Sequence, residues 1–224
     1  MSLWIKICGN TSLEDARLAV EAGADAVGFV FAPSPRRMTA AEVAAIASHL
    51  PAALERIGVF VDAGLDEIDS TVRACGLTGV QLHSDAAPEL PSKLRARLGP
   101  TLRILRVLHF EAGAAESISK QVADWTRNPD VDAVLVDSRT AAAVGGTGVT
   151  FDWTAARKIL FQNAEARKRL IAAGGLTPEN VAEAIATLRP WGVDVVSGVE
   201  AAPGRKDADK VRSFVARARA ADTE

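Results

Sequence analysis

The chain has 224 residues, enough for one α/β barrel or two small domains. Hydrophobic residues make up 48%, which allows a large core, and the net charge of −2 gives no general attraction to nucleic acid or anionic membranes. No apolar run approaches the roughly 18 residues of a membrane span, the N-terminus lacks a signal-peptide core, and the two cysteines, Cys8 and Cys75, lie far apart without Cys-x-x-Cys spacing, which argues against a disulfide framework or structural zinc and for a reducing, cytoplasmic setting.

The chain reads as strand, loop, helix, repeated. The first strand is expected over Leu3 to Cys8. Thr11 or Ser12 caps a helix that Gly23 ends, with Glu14 and Asp15 in its favourable first turn. Ala26 to Phe31 is a continuous apolar run, as expected for a strand covered on both faces. Thr39 caps a helix over Ala40 to Leu50. Strand three is Ile57 to Val61, with a helix from Asp66 to Cys75. Strand four is Gly79 to Leu82, followed by a helix over Glu89 to Leu98. Strand five is Leu102 to Leu108, and its helix Ala115 to Trp125. Strand six is Ala133 to Val136; a glycine-bearing loop follows, then a helix from near Trp153. Strand seven is Leu170 to Ala172. Pro178 suits the first turn of the next helix, which runs to Leu188. Strand eight is Val193 to Val196, and the last helix Asp207 to Ala218.

Eight strand–helix units without a Pro/Gly/Ser linker predict an α/β fold, a (β/α)8 TIM barrel forming a single domain over residues 1–224. A doubly wound sheet is the competitor, but it would place its glycine loop after the first strand. Here the glycines gather in the last three units, as Gly145-Gly146-Thr147-Gly148, Gly174-Gly175 and Ser197-Gly198. Glycine lets backbone N–H groups encircle an anion, and these barrel loops commonly hold a phosphate.

Cys8 ends strand one and Asp137 ends strand six. Both positions belong to the rim where barrel enzymes do their chemistry. The two strands are not neighbours, so the side chains are expected to face one another across the mouth. A thiolate can take a proton and a carboxylic acid can give one. A free thiol titrates near about 8.5, so Cys8 would work best with its pKa lowered.

Lys6-Ile7-Cys8-Gly9-Asn10-Thr11 resembles the N-terminal signature of the phosphoribosylanthranilate isomerase family of tryptophan biosynthesis. The resemblance extends through Gly23 to Phe29, Ser34-Pro35-Arg36, Gly79 to His83, Asp137 to Trp153, Ala173 to Val181 and Val193 to Glu200. It implies an Amadori rearrangement of N-(5′-phosphoribosyl)anthranilate to 1-(2-carboxyphenylamino)-1-deoxyribulose 5-phosphate. It implies Cys8 as general base at sugar C2 and Asp137 as general acid at the ring oxygen. Arg36 would hold the anthranilate carboxylate, since a guanidinium can donate two parallel hydrogen bonds to it. Lys6, Gln81, His83, Gly145, Gly146, Gly148, Gly174, Gly175, Ser197 and Gly198 are the further residues expected to bind substrate. No cofactor is needed, because the substrate nitrogen supplies the electron push. The implied partner is the small-molecule substrate, with no nucleic acid and no membrane, and the protein is expected as a monomer or homodimer.

Two positions depart from the family pattern. Val196 stands where the family often has a serine, and Arg37 directly follows Arg36, so the carboxylate clamp could lie one residue later. Asp194 is a candidate supporting residue beneath the site. Cys75 reads as packing. His49 and His109 show no partner spacing, and Arg205-Lys206-Asp207 reads as a solvated turn. A histidine-pathway isomerase is the sister reading, but its pattern has aspartate where Cys8 stands. A non-catalytic phosphate-binding barrel would need neither Cys8 nor Asp137.

Overall fold

The computed structural model describes residues 2–83, 86–109, 115–137, 157–158, 160 and 169–222. Eight parallel strands close on themselves in sequence order: β1 (Trp4–Ile7), β2 (Ala26–Val30), β3 (Glu55–Phe60), β4 (Gly79–Leu82), β5 (Arg103–His109), β6 (Ala133–Asp137), β7 (Leu170–Ala173) and β8 (Gly192–Val195). Closure runs from Trp4 opposite Gly192 to Ile7 opposite Val195. Around the sheet lie α1 (Leu13–Ala22), α2 (Ala40–Ala47), α3 (Leu65–Cys75), α4 (Leu90–Leu98), α5 (Ala115–Arg127), α6 (Val181–Leu188) and α7 (Ala208–Ala221). The expected (β/α)8 barrel is therefore the observed one. The start of the helix expected near Trp153 lies outside the described residues.

Local chemistry sets the element ends. Ser12, rather than Thr11, caps α1 by accepting from Asp15 N, and Gly23 ends the helix at φ 90°. Thr39 and Glu42 form a reciprocal capping box on α2. Pro178 is not in the first turn of α6, which starts at Val181. The Asn180 side chain accepts from Thr177 N and donates to Gly175 O, so residues 177–180 close a turn before the helix begins.

Because side chains alternate across a strand, the barrel separates two apolar layers. Trp4, Ala26, Ile57, Leu105, Val107, Leu135 and Ile171 fill the interior. A larger set, including Ile5, Ile7, Val27, Phe29, Val80, Val134 and Val193, packs between sheet and helices. Each fully buried side chain of this size contributes roughly 1.5–3 kcal/mol relative to exposure. Trp4 stacks on Trp191 at 5.2 Å, with the Arg103 guanidinium 5.3 Å from the Trp191 ring, closing the barrel at the N-terminal ends of its strands.

One segment departs from expectation. After β8 the chain makes a single 3-10 turn, Ser197–Val199, then an antiparallel hairpin of β9 (Glu200–Ala202) and β10 (Arg205–Lys206). Arg205 is exposed and Asp207 caps α7, but Lys206 is buried rather than solvated.

Candidate active site

Trp4, Lys6 and Cys8 are two residues apart, so the side that carries Trp4 inward also carries Lys6 and Cys8 inward. Cys8 N donates to Val195 O at 2.9 Å, extending the β1–β8 pairing to the rim. Gly9 N and Asn10 N both donate to Gly28 O at 3.0 Å, and the Asn10 amide donates to Ile7 O at 2.8 Å. Gly28 also makes the room: a β-carbon there would stand 2.4 Å from Cys8 Sγ and 2.9 Å from Lys6 Cε. Sequence reasoning missed Gly28. Its signal was a lone glycine inside an apolar strand, which often marks a close approach.

Beneath Cys8 lies a buried polar layer. Lys6, with no exposed surface, donates to Gln81 Oε1 at 2.8 Å and Asp194 Oδ1 at 3.0 Å. Burial alone pushes the Lys6 ammonium down, but Asp194, and after it Cys8, outweigh burial and the net shift is upward. For Cys8, burial pushes the thiol up; Lys6 pulls it down and Asp194 pushes it up again, leaving it above its ordinary range. The upward shift follows from burial, because the sulfur sits in the barrel rather than in water. Lys6 lies beneath the cavity, where it donates to Gln81 and Asp194.

The cavity at the C-terminal ends of the strands is lined by Cys8, Asp137, Arg36, Gln81, His83 and Asp194, together with Gly174, Gly175, Ser197 and Gly198. Asp137 is buried at the end of β6, paired in register with His109 and Ala173. The His83 ring lies 5.6 Å from that of His109. Arg37 is exposed and Arg36 is the arginine on the cavity wall. Arg36 Nε donates to Glu200 Oε1 at 2.7 Å and Nη2 to Oε2 at 2.5 Å. Burial alone would push the Glu200 carboxyl up, but Arg36 and Lys206 outweigh it and hold it below its ordinary range. Lys206 Nζ donates to Cys8 O at 2.6 Å, Val196 O at 3.2 Å and Glu200 Oε1 at 3.2 Å. Neither Glu200 nor Lys206 was expected at the site; Lys206, in Arg205-Lys206-Asp207, read as part of a solvated turn.

At the other end of the cavity, Gly174 and Gly175 take positive φ values of 81° and 64°, the region glycine enters without penalty. Gly198 is packed so closely that a β-carbon would stand 1.8 Å from Leu176 O. Gly145, Gly146 and Gly148 lie outside the described residues. Cys75 is buried in the outer apolar layer, as expected. Among the described residues no group of three or more His, Cys, Asp or Glu could hold a metal.

Known proteins resemble this chain over nearly its whole length. The family model described as N-(5′-phosphoribosyl)anthranilate (PRA) isomerase matches residues 5–217. The N-(5′-phosphoribosyl)anthranilate isomerase of Pelobacter propionicus is 44% identical over 212 residues, covering 94% of this chain and 93% of the relative. That of Magnetococcus marinus is 45% identical over 222 residues, covering 99% and 97%. The crystal structure of the Thermotoga maritima enzyme superposes with a TM-score of 0.83 at 36% identity, covering 97% of this chain and 99% of that one. A crystal structure of a phosphoribosyl anthranilate isomerase in complex with reduced 1-(o-carboxyphenylamino)-1-deoxyribulose 5-phosphate gives a TM-score of 0.79 at 34% identity, with coverage of 97% and 99%. With a closed barrel, a cysteine and an aspartate on one cavity, and relatives matched over nearly their whole length, this chain belongs to the N-(5′-phosphoribosyl)anthranilate isomerase family.

Proposed function

We propose that Cys8 and Asp137 carry the family's rearrangement of N-(5′-phosphoribosyl)anthranilate to 1-(2-carboxyphenylamino)-1-deoxyribulose 5-phosphate. Asp137 gives its proton to the ribose ring oxygen as the C1–O bond breaks, with the anthranilate nitrogen lone pair pushing to form an iminium. The Cys8 thiolate then takes the proton from C2, and the C–H electrons move to form the enolamine, which tautomerises to the ketone. Proton transfers of this kind each contribute about 10²- to 10⁴-fold. Arg36 holds the anthranilate carboxylate, and backbone N–H groups at Gly174, Gly175, Ser197 and Gly198 hold the phosphate.

One observation carries this reading: Cys8 on β1 and Asp137 on β6, strands that are not neighbours, line the same cavity as Arg36 and the glycine loops. Burial holds the Cys8 thiol above its ordinary range, and Lys6 is the cation that does most to favour the thiolate against it. The enzyme acts as one barrel over residues 1–224, as a monomer or homodimer, in the cytoplasm. A biosynthetic role supports this setting. Among the described residues no helix is long and apolar enough to cross a membrane.

The test is an assay of purified protein with phosphoribosylanthranilate, followed by loss of anthranilate-type fluorescence. Wild type is expected to turn over, and Cys8→Ala to bind the reduced product without turnover. Unimpaired turnover in Cys8→Ala would remove the proposed base.

A further inference from the structure

We propose that Glu200, anchored by buried Lys206, is the positioning residue that sets Arg36 to recognise the aryl carboxylate; this rests on the reading of Arg36 as the carboxylate clamp. A guanidinium has two edges that can each make a paired hydrogen bond, one through Nε and Nη2 and one through Nη1 and Nη2. Glu200 takes the first, at 2.7 and 2.5 Å. That bond turns the second edge away from Glu200 and fixes the guanidinium plane.

The support for Glu200 is itself rigid. Its Oε1 accepts from Gly204 N at 3.3 Å and from Lys206 Nζ at 3.2 Å. The Lys206 ammonium has three donors, and its acceptors are Cys8 O, Val196 O and Glu200 Oε1. Its donors are therefore committed to the protein, which makes Lys206 a strut rather than a substrate ligand. The stem of Arg36 is confined as well. A β-carbon on Gly9 would stand 2.7 Å from Arg36 Cδ and 3.1 Å from Val196 Cγ1.

Lys206 sets a second cation against the same carboxylate that holds Arg36. The same strut bonds to the Cys8 carbonyl, tying the clamp to the strand that carries the base.

The experiment compares two ligands by calorimetry: reduced 1-(o-carboxyphenylamino)-1-deoxyribulose 5-phosphate, and the same compound lacking the ring carboxylate. Arg36→Ala should lose the preference for the first, by roughly tenfold or more, the scale of a charge-assisted hydrogen bond. Glu200→Gln, whose amide can accept only one of the two Arg36 hydrogen bonds, should lose most of that preference while binding the carboxylate-free ligand as wild type does. Lys206→Met should lose part of it. Exposed Arg37→Ala is the control and should lose none. If Arg36→Ala keeps the preference, the clamp reading itself fails. If Arg36→Ala loses it but Glu200→Gln keeps it, or Glu200→Gln weakens both ligands equally, Glu200 only supports the fold and the inference is overturned. Should Glu200→Gln not fold, Glu200→Asp, which keeps the charge but draws it back from Arg36, decides by the same comparison.

Discussion

Gly28 and Cys8 face each other inside the barrel with no room for a side chain between them: a β-carbon on Gly28 would lie 2.4 Å from the Cys8 sulfur and 3.0 Å from its Cβ. The clash falls on a short side chain whose backbone is pinned by Val195 O, so it cannot be relieved by a flexible end. Gly28→Ala should therefore displace the sulfur toward the cavity. We expect kcat to fall at least about tenfold and stability to drop by about 1–3 kcal/mol, the usual cost of overpacking. An unchanged kcat in a folded Gly28→Ala protein would show that the sulfur's position is not critical.

The Cys8 thiol should respond in opposite directions to its two charged neighbours. Lys6 favours the thiolate and Asp194 disfavours it. Removing the cation in Lys6→Met should raise the pH at which Cys8 becomes reactive; removing the anion in Asp194→Asn should lower it. The readout is the rate of alkylation by iodoacetamide against pH. Lys6→Met also leaves Asp194 buried without its ion partner, at a cost of about 3–5 kcal/mol, so its thermal midpoint should fall as well. Shifts of the same sign in both variants would contradict this account.

Asp137→Asn keeps the shape of the side chain but cannot deliver a proton. Turnover should fall about 10²- to 10⁴-fold, with affinity for the reduced product changed far less. Retention of most activity would assign the acid to another group.

The two glycine loops should separate binding from folding. Gly175 has open space around its missing side chain but a φ of 64°, so Gly175→Val meets a backbone penalty of roughly 1–2 kcal/mol and screens nearby N–H groups. KM should rise more than kcat falls. At Gly198 a β-carbon would overlap Leu176 O at 1.8 Å, so Gly198→Ala should lower the melting temperature before any effect on KM is read. A phosphate ester bound elsewhere in a complex would refute the Gly175 prediction.

Much of this was legible in the sequence, and the reason is periodicity. Apolar runs such as Val134-Leu135-Val136 and Ala26 to Phe31 mark strands covered on both faces, and a cap such as Thr39 marks a helix start. Eight such units dictate the barrel, and the barrel dictates that Cys8, Asp137, Gly174 and Ser197, each just at or past a strand end, meet on one rim. What the tertiary structure alone decided is the charge around that rim. Lys6 pairs with Asp194 at a separation of 188 residues, and Lys206 reaches the Cys8 carbonyl across 198. Neither pairing names its partner locally: Lys6 stands in the apolar strand Trp4-Ile5-Lys6-Ile7 and Lys206 in the polar run Arg205-Lys206-Asp207, and neither stretch says what lies opposite. Only closure of β8 onto β1 brings their partners within hydrogen-bonding distance and makes their burial affordable.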